Sequence, residues 1–151
     1  ETPLVFGEFG PWCDDEKAID FIRDFYTLIN REFAGSFHWE YSDRTNRSPL
    51  RETCMEKEFS KELFVPHARR VAGTPTSYSF DPESGILNLC YTESAASLPT
   101  EITLPDSWYQ EGVSVNVSDG DYSVEGRLLK YNHDYLMPEH CIELKPPSDQ
   151  N

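Results

Sequence analysis

One acidic side chain near the start of the sequence is the best candidate for chemistry. Residues 5–10 read Val-Phe-Gly-Glu-Phe-Gly, which predicts a short strand that ends by presenting the carboxylate of Glu8. Apolar residues on both faces of such a run are typical of a parallel strand that is buried on both sides, and glycines let other backbone approach closely. An ionised carboxylate there could act as a nucleophile. From the residues alone, a Glu at a strand end is more often a salt-bridge or surface residue.

The residues after Glu8 predict the elements that position it. Residues 14–30 begin with an acidic turn and carry one apolar stripe, which predicts an amphipathic helix. Gly35 marks the exit from this helix, and the aromatic residues up to Asp43 predict a second strand that ends in a polar loop. The order strand, helix, strand is that of a βαβ unit. The stripe comprises Ala18, Ile22, Phe25 and Ile29, broadened by Phe21 and Leu28.

Three segments resemble glycoside hydrolases of family 5. Residues 3–10 resemble the seventh strand of that family's barrel, whose terminal Glu is the catalytic nucleophile, and Trp39 resembles the eighth-strand tryptophan, which lies under the sugar ring being cleaved. Residues 71–85 resemble the junction into the C-terminal sandwich domain of endoglycoceramidases, a branch of family 5. This resemblance covers nearly the whole chain. It implies that Glu8 is the nucleophile and that Trp39 binds substrate.

Other aromatic residues are candidates for the substrate pocket. Tyr41 shares the predicted strand face of Trp39 and could rim the pocket. Phe9 and Trp12 follow Glu8 and could shape the aglycone side, where an endoglycoceramidase must hold ceramide. His38 and Glu40 flank Trp39 and should point the opposite way, so both are interpreted as structural.

The second half of the sequence predicts an antiparallel β-sandwich. Short strands alternate with turns that contain Gly, Asp, Ser or Pro, and Val113, Val115 and Val117 alternate with polar residues. Trp108 and Tyr109 could bind sugar or membrane, although packing in a domain interface is the favoured interpretation. The predicted strands are residues 76–80, 86–92, 101–104, 113–117, 122–125, 128–131 and 141–144.

The predicted fold class is the C-terminal fragment of a TIM (β/α)₈ barrel, comprising strands 7 and 8, followed by the β-sandwich. The predicted domains are residues 1–73, residues 74–146 and a flexible tail at 147–151. A complete barrel needs about 250 residues, and the family's acid/base motif, an Asn-Glu pair, does not occur in the sequence. The resemblance therefore implies a partner that carries barrel strands 1 to 6 and the acid/base Glu. We expect it to be the N-terminal portion of the same precursor, separated by proteolytic nicking. The alternative is an independently encoded subunit.

Composition excludes several classes of partner. With 27 acidic and 13 basic residues the net charge is −14, which argues against binding to nucleic acid and against attraction to an anionic membrane. No stretch approaches the length of a transmembrane helix, and residue 1 does not begin a signal peptide, in keeping with an internal start. The four cysteines lack the spacing of a metal site. Neither a metal nor an organic cofactor is expected, because the two-carboxylate mechanism requires none.

The cysteines leave their pairing open. Cys90 and Cys141 lie in predicted strands of the same domain and are the first choice for a disulfide. Cys13 and Cys54 lie in predicted loops and could pair with each other or with the missing portion, and buried free thiols are an equal alternative. The polar residues 44–61 predict a long loop with a short helix, which either forms a wall of the cleft or only holds the sandwich domain.

The resemblance implies a secreted, retaining enzyme that cleaves the β-glycosidic bond between oligosaccharide and ceramide in glycosphingolipids, and that is active only with its N-terminal portion. One alternative is a β-glucanase or β-glucosidase of family 5, because the Glu8 and Trp39 motifs serve the whole family. The other is a non-catalytic module whose β-sandwich binds carbohydrate and which folds alone.

Overall fold

The computed structural model describes residues 2–42, 44–49, 57–93 and 98–147. The chain divides into two compact units, Glu1–Phe64 and Val65–Asn151. The sequence composition changes near residue 73, but strand pairing in the second unit already begins at His67. The boundary between the two units, after Phe64, therefore lies earlier in the sequence than the boundary between the predicted domains 1–73 and 74–146. Most of the predicted tail, 148–151, lies outside the described residues.

The first unit contains the predicted strand–helix–strand arrangement. Strand β1 (Val5–Phe9) pairs in parallel with β2 (Gly35–His38), and helix α1 (Ala18–Arg31) connects them. A second helix, α2 (Lys57–Leu63), lies in the segment predicted as a loop with a short helix. The βαβ prediction is confirmed, although α1 begins four residues later than predicted because residues 13–17 form turns.

Helix α1 supplies most of the core of the first unit. Its apolar stripe is the predicted one, because Ala18, Ile22 and Ile29 are buried. The helix contacts α2 through a hydrogen bond from the Tyr26 hydroxyl to the Leu63 carbonyl oxygen (2.9 Å). Burial raises the pKa of Tyr26 to about 12, so the hydroxyl keeps its donor proton. The core cluster consists of Phe9, Ala18, Ile22, Phe59 and Leu63.

The sheet of the first unit leaves much apolar surface uncovered. Among the described residues it contains β1 and β2 alone, so each strand has a free edge. Val5 is 55% exposed and Phe37 is 66% exposed, whereas the sequence predicted a strand buried on both faces. The described part of the chain therefore covers only the α1 side of β1.

The second unit is a sandwich of two antiparallel four-stranded sheets. The strand orders are β4-β5-β10-β7 and β3-β6-β9-β8. All seven predicted strands are present within a few residues of their predicted bounds, and β3 is additional. The strands are β3 (His67–Arg70), β4 (Gly73–Asp81), β5 (Ile86–Glu93), β6 (Thr100–Thr103), β7 (Ser114–Val117), β8 (Asp121–Glu125), β9 (Leu128–Asn132) and β10 (Glu139–Lys145), with helix α3 (Asp106–Tyr109) between β6 and β7.

Both sheets contribute to one closed core in the second unit. Trp108 and Tyr109, predicted to favour a domain interface, are instead buried within this core, and the Tyr109 hydroxyl donates to the Gly85 carbonyl oxygen (3.1 Å). Burial of large apolar side chains is the main favourable term in folding, so this unit has a hydrophobic core of its own. The fully buried members are Leu87, Leu89, Tyr91, Ile102, Leu129, Tyr131 and Leu144.

A disulfide joins the two central strands of one sheet. Cys90 on β5 and Cys141 on β10 are direct register partners with Cα atoms 4.2 Å apart, which confirms the first choice of pairing. Cys13 is also disulfide-bonded, and no free cysteine occurs in the described part of the chain, whereas Cys54 lies outside it. Among residues 2–42, 44–49, 57–93 and 98–147, no helix has the length and apolar character needed to cross a bilayer.

Candidate functional site

The predicted catalytic residue lies where the two parallel strands end. We call this region the carboxyl edge and define it as residues 8–12 and 39–42, which end or follow β1 and β2. The Trp39 backbone N–H donates to the Phe9 carbonyl oxygen (2.6 Å), so Trp39 lies beside the residue that follows Glu8. Loops that follow neighbouring parallel strands leave the sheet at the same edge, which is where α/β proteins place their sites. The fold therefore brings the chain segments that carry Glu8 and Trp39 side by side.

Gly10 is required for this close approach. A Cβ atom at Gly10 would fall 2.1 Å from the Trp39 carbonyl oxygen, a distance that no side chain tolerates. A Cβ atom at Gly7 would meet nothing within 4 Å. Of the two glycines that flank Glu8, only Gly10 is thus dictated by the backbone that carries Trp39.

The side chains of the carboxyl edge are largely open to solvent. Glu8 is exposed, Trp39 is 49% exposed and Tyr41 is 70% exposed. No hydrogen bond or ion pair of the Glu8 carboxylate occurs within the described residues. An unshielded carboxylate next to an aromatic platform can attack or stabilise an electron-poor carbon while the flat ring packs against a sugar. The peptide bond between Trp39 and Glu40 is cis.

Phe9 differs from its prediction as a residue of the aglycone side. It is 8% exposed and its ring stacks on Phe25 of α1 (4.2 Å between centroids). The reason is a register shift between Phe6 and Phe9, which places both rings against Phe25 although they are three residues apart. Irregularities of this kind re-aim side chains near functional sites. Phe9 is therefore a packing residue, and its exposed neighbour Glu8 remains available.

His38 packs on the same side as Phe9. Their ring centroids are 5.4 Å apart, and burial lowers the pKa of His38, so its imidazole is neutral at pH 7. This placement agrees with the structural role predicted for His38. Glu40 is half-buried.

Trp12, the fourth predicted substrate contact, is 51% exposed and carries an arginine on its ring. The Arg47 Cζ atom lies 4.6 Å from the Trp12 ring centroid, which is cation–π geometry. The contact of Arg47 with Trp12 could not be predicted, because the two residues are far apart in sequence and contacts between loops have no periodic signal. The Arg side chains in the polar loop after Trp39 were the one available hint.

The second unit also contains a buried polar cluster that was not predicted from the sequence. The rings of His133 and His140 are stacked with centroids 4.1 Å apart, and the Tyr91 hydroxyl lies 3.0 Å from His133 Nδ1. His140 Nδ1 lies 3.0 Å from a carboxylate oxygen of Asp119. The described residues contain no group of three or more potential ligands that could hold a metal ion. This cluster lies within the sandwich and is separate from the carboxyl edge in sequence.

Comparisons with known proteins point to one family. A family model described as the glycoside hydrolase family 5 C-terminal domain matches residues 66–142. Endoglycoceramidase I of Rhodococcus hoagii (strain 103S) is 26% identical over 119 residues, which is 79% of this chain and 22% of that protein. The chain thus spans about a fifth of the length of this curated relative.

Solved structures agree with this match. Endo-glycoceramidase II from a Rhodococcus species has a TM-score of 0.81 and 26% identity, covering 97% of this chain and 34% of that one. Structures of that enzyme include a lactosyl-enzyme intermediate and a complex with ganglioside GM3. Sterylglucosidase 1 of Cryptococcus neoformans, with a TM-score of 0.75 and 15% identity over 95% of this chain and 29% of that one, shows a common fold alone.

Proposed function

Since the chain belongs to the glycoside hydrolase family 5 C-terminal domain family, we propose that it is the carboxyl-terminal part of a retaining hydrolase of glycosphingolipids. The bond cleaved is the β-glycosidic bond between the oligosaccharide and ceramide. The observation that carries this proposal is the juxtaposition of Glu8 and Trp39 at the ends of two hydrogen-bonded parallel strands. The similarity to enzymes that are named endoglycoceramidases supports the choice of substrate.

In this proposal Glu8 is the nucleophile. One carboxylate oxygen of Glu8 attacks the anomeric carbon while the bond from that carbon to the ceramide oxygen breaks, and a second carboxylic acid gives its proton to the departing oxygen. Water then cleaves the glycosyl ester, and the second residue takes back a proton from that water. The lactosyl-enzyme intermediate of the Rhodococcus enzyme is the kind of species that this chemistry forms. Trp39 provides the face on which the sugar ring packs, and Tyr41 and Trp12 extend this aromatic surface.

The second carboxylate belongs to the N-terminal portion of the same precursor, with the six barrel strands that precede β1 and β2. In a retaining enzyme the two carboxyl groups are about 5 to 5.5 Å apart, so the partner must seat its Glu directly opposite Glu8. The apolar surface of Val5 and Phe37, exposed in this chain, supports the need for such a partner. In this arrangement β1 and β2 are barrel strands 7 and 8.

The disulfides support a secreted enzyme. Cys90 is bonded to Cys141, and Cys13 is also bonded, whereas cytosolic proteins keep their thiols reduced. We accordingly place the enzyme in an oxidising compartment or outside the cell.

A different β-glucoside is the second candidate substrate, because the carboxyl edge has the same Glu and Trp that serve the whole of family 5. A non-catalytic carbohydrate-binding module is the remaining alternative. The open β1–β2 sheet argues against that module, since it would have to fold without covering Val5 and Phe37.

Product analysis separates these candidates. The purified material, with any polypeptide that co-purifies, is incubated with a ganglioside and with a soluble β-glucoside. We expect release of intact oligosaccharide and ceramide, and a loss of at least about 1,000-fold in kcat for Glu8→Gln, because the variant lacks the attacking carboxylate. Glu16→Gln removes an exposed carboxylate of the following turns and is the matched control.

Each outcome has a clear meaning. Cleavage of the β-glucoside without release from ganglioside would favour the second substrate. If neither substrate is cleaved and the chain folds alone, the binding module would be favoured. Full activity of Glu8→Gln would remove Glu8 from the catalytic role.

A further inference from the structure

Among residues 2–42, 44–49 and 57–64, no carboxylate is paired with Arg47, a cation of the first unit. Its guanidinium lies on the Trp12 ring, and its Nε atom is buried without a hydrogen-bond partner in the described part of the chain. Arg23 and Arg31 of the same unit instead pair with Glu62 and Glu32, each at 2.8 Å. The Trp12 ring holds the Arg47 guanidinium in place, and no carboxylate of the described residues neutralises its charge, so the charge is available to an anionic group of a bound substrate.

Backbone contacts fix Arg47 beside the loop that follows Glu8. The Cys13 N–H donates to the Asn46 carbonyl oxygen (2.7 Å), and the Asn46 side-chain amide donates to Asp14 (3.1 Å). Two loops that leave the same end of the sheet are therefore joined where Trp12 and Arg47 meet.

The second loop also returns toward the strand it leaves. The Ser42 N–H donates to the hydroxyl of Ser48 (3.0 Å), and Ser48 is fully buried. This contact places Arg47 near the residue that follows Tyr41. Trp12 is four residues after Glu8, so their Cα atoms are at most about 14 Å apart. The Arg47 charge thus lies at the rim of the carboxyl edge, within reach of an oligosaccharide held at Glu8.

Arg47 belongs to a loop that also contains Arg44, within a chain that is acidic overall. The chain has a net charge of −14, and Asp14, Asp15 and Glu16 follow Trp12. Such surroundings repel an anionic substrate unless a fixed cation receives it. Guanidinium groups bind planar carboxylates with two parallel hydrogen bonds, and stacking on an aromatic ring holds the group in place for this purpose.

We propose that Arg47, held on Trp12, is a subsite for an anionic group on the sugar portion of the substrate, either the carboxylate of an acidic sugar or a sulfate ester. This inference rests on the proposed function for the position of the sugar at Glu8. It concerns specificity and not the chemical step, so Arg47 acts on acidic substrates and leaves neutral ones unaffected.

The competing explanation is that Arg47 only joins the two loops. A joining role would lower activity on every substrate alike, because the shape of the carboxyl edge would change. An anion subsite changes the ratio of activities on substrates that differ only in one negative group.

The test compares sialyllactosylceramide, sulfated lactosylceramide and lactosylceramide. For Arg47→Gln, assayed with any co-purifying polypeptide, we expect kcat/KM to fall about tenfold or more on one or both acidic substrates, since a charge-assisted bidentate pair is lost. Activity on lactosylceramide should stay as in the wild type. A fall on sialylated substrate alone identifies a carboxylate subsite, and a fall on sulfated substrate alone identifies a sulfate subsite. Equal losses on all three substrates, or no loss on either acidic one, would overturn the proposal.

Two further variants sharpen the result. Arg47→Lys keeps the charge but not the planar fork, so it should lie between the wild type and Arg47→Gln on the acidic substrates. Arg31→Gln removes the same charge at the far end of α1, where Arg31 pairs with Glu32, and should leave the substrate preference unchanged. A matching loss in Arg31→Gln would mean that net charge, and not a subsite, sets the preference.

A binding measurement keeps the inference separate from the proposed function. Isothermal titration calorimetry measures the binding of sialyllactose, lactose and lactose sulfate to the wild-type protein. This measurement needs no catalysis and no variant. Tighter binding of an acidic sugar than of lactose, weakened by added salt, supports the subsite even if no glycolipid is cleaved. Equal binding of all three sugars would overturn the proposal, while cleavage of lactosylceramide would still uphold the proposed function.

Discussion

The two units of this chain differ in how completely they bury their apolar side chains. The second unit encloses its own core between two sheets, and Leu89, Ile102 and Leu129 are fully inaccessible to solvent. The first unit covers one side of a two-stranded sheet with α1 and leaves Leu4, 53% exposed, with Val5 and Phe37 on open surface. The residues proposed to do chemistry lie in the open unit.

This difference shows where stability and function are placed. Under the proposed function a catalytic edge needs groups from several strands, and β1 and β2, the two strands described in the first unit, leave surfaces for the others. A closed sandwich needs no additional strands, because its buried core and its disulfide stabilise the folded state. The closed unit therefore contains its own source of stability.

Separating the units gives the largest expected effect. Residues 65–151, produced alone, should unfold cooperatively in urea, because the whole of the sandwich core lies within them. Residues 1–64 alone should show no cooperative transition, because so short a chain with an uncovered sheet buries too little apolar surface. Circular dichroism and urea titration of the two pieces measure this. A cooperative transition in residues 1–64 would remove the contrast between the units and would favour the non-catalytic module.

The second test changes the carboxyl edge without touching the sandwich. Gly10→Ala places a Cβ atom against the Trp39 carbonyl oxygen, so the ends of β1 and β2 must move apart. A displacement of about 1 Å in a catalytic site can cost about 100-fold, and we expect a fall of that order in kcat/KM. Gly7→Ala is the matched control, because open space surrounds its Cβ position. The urea unfolding transition of the second unit, followed within the whole chain, should be the same in both variants.

Two results would contradict the expected difference between Gly10→Ala and Gly7→Ala. Equal activity of Gly10→Ala and the wild type would mean that the approach of Trp39 to the Glu8 strand is irrelevant to catalysis. Equal losses in both variants would mean that β1 tolerates no side chain at either glycine, whatever Trp39 does.

The sandwich could be predicted from sequence because its strands carry strong local signals. Alternation in the valine-rich run of β7 and the turn residues after β4 and β7 each indicate structure within a few residues. Strand β3 was missed because its sequence, His-Ala-Arg-Arg, lacks an apolar alternation. It is a strand because it pairs with β6 at the sheet edge, and both Arg69 and Arg70 form ion pairs with Glu101. The local sequence pattern does not predict tertiary contacts of this kind.

The candidate site was predictable only in part. Glu8 and Trp39 were predicted from the ends of two strands and from the resemblance, and the structure places those two strand ends side by side. Phe9 was misplaced because a register shift breaks the alternation that sequence reasoning assumes. The contact between Arg47 and Trp12 could be predicted only by knowing how the two loops pack. The two residues are 35 positions apart in sequence, so no local pattern indicates the contact.

The smallest expected effect concerns a single carboxylate of the closed unit. Asp119 accepts hydrogen bonds from the Asp134 N–H (2.7 Å) and the Ser118 hydroxyl (2.6 Å), and its side chain is 8% exposed. Burial alone would raise the pKa of Asp119, but the hydrogen bonds from Ser118, from the Asp134 backbone and from His140 together lower it to about 2. The folded state therefore favours the ionised form.

The sign of the pH dependence follows from this lowered pKa. Stabilisation by Asp119 is fully present above its ordinary value of 3.8 and is lost as the pH falls toward about 2. Asp119→Asn should lower the free energy of unfolding by about 2 kcal/mol at neutral pH, the size expected for hydrogen bonds to a charged group. Urea unfolding of residues 65–151 should show that this difference shrinks through the acid range, whereas Asp121→Asn, at an exposed residue, should show no such change. A difference that stays constant with pH would mean that the shape of the Asp119 side chain, and not its charge, stabilises the turn. Activity at the carboxyl edge should be unaffected at neutral pH, because the sandwich remains folded after so small a loss.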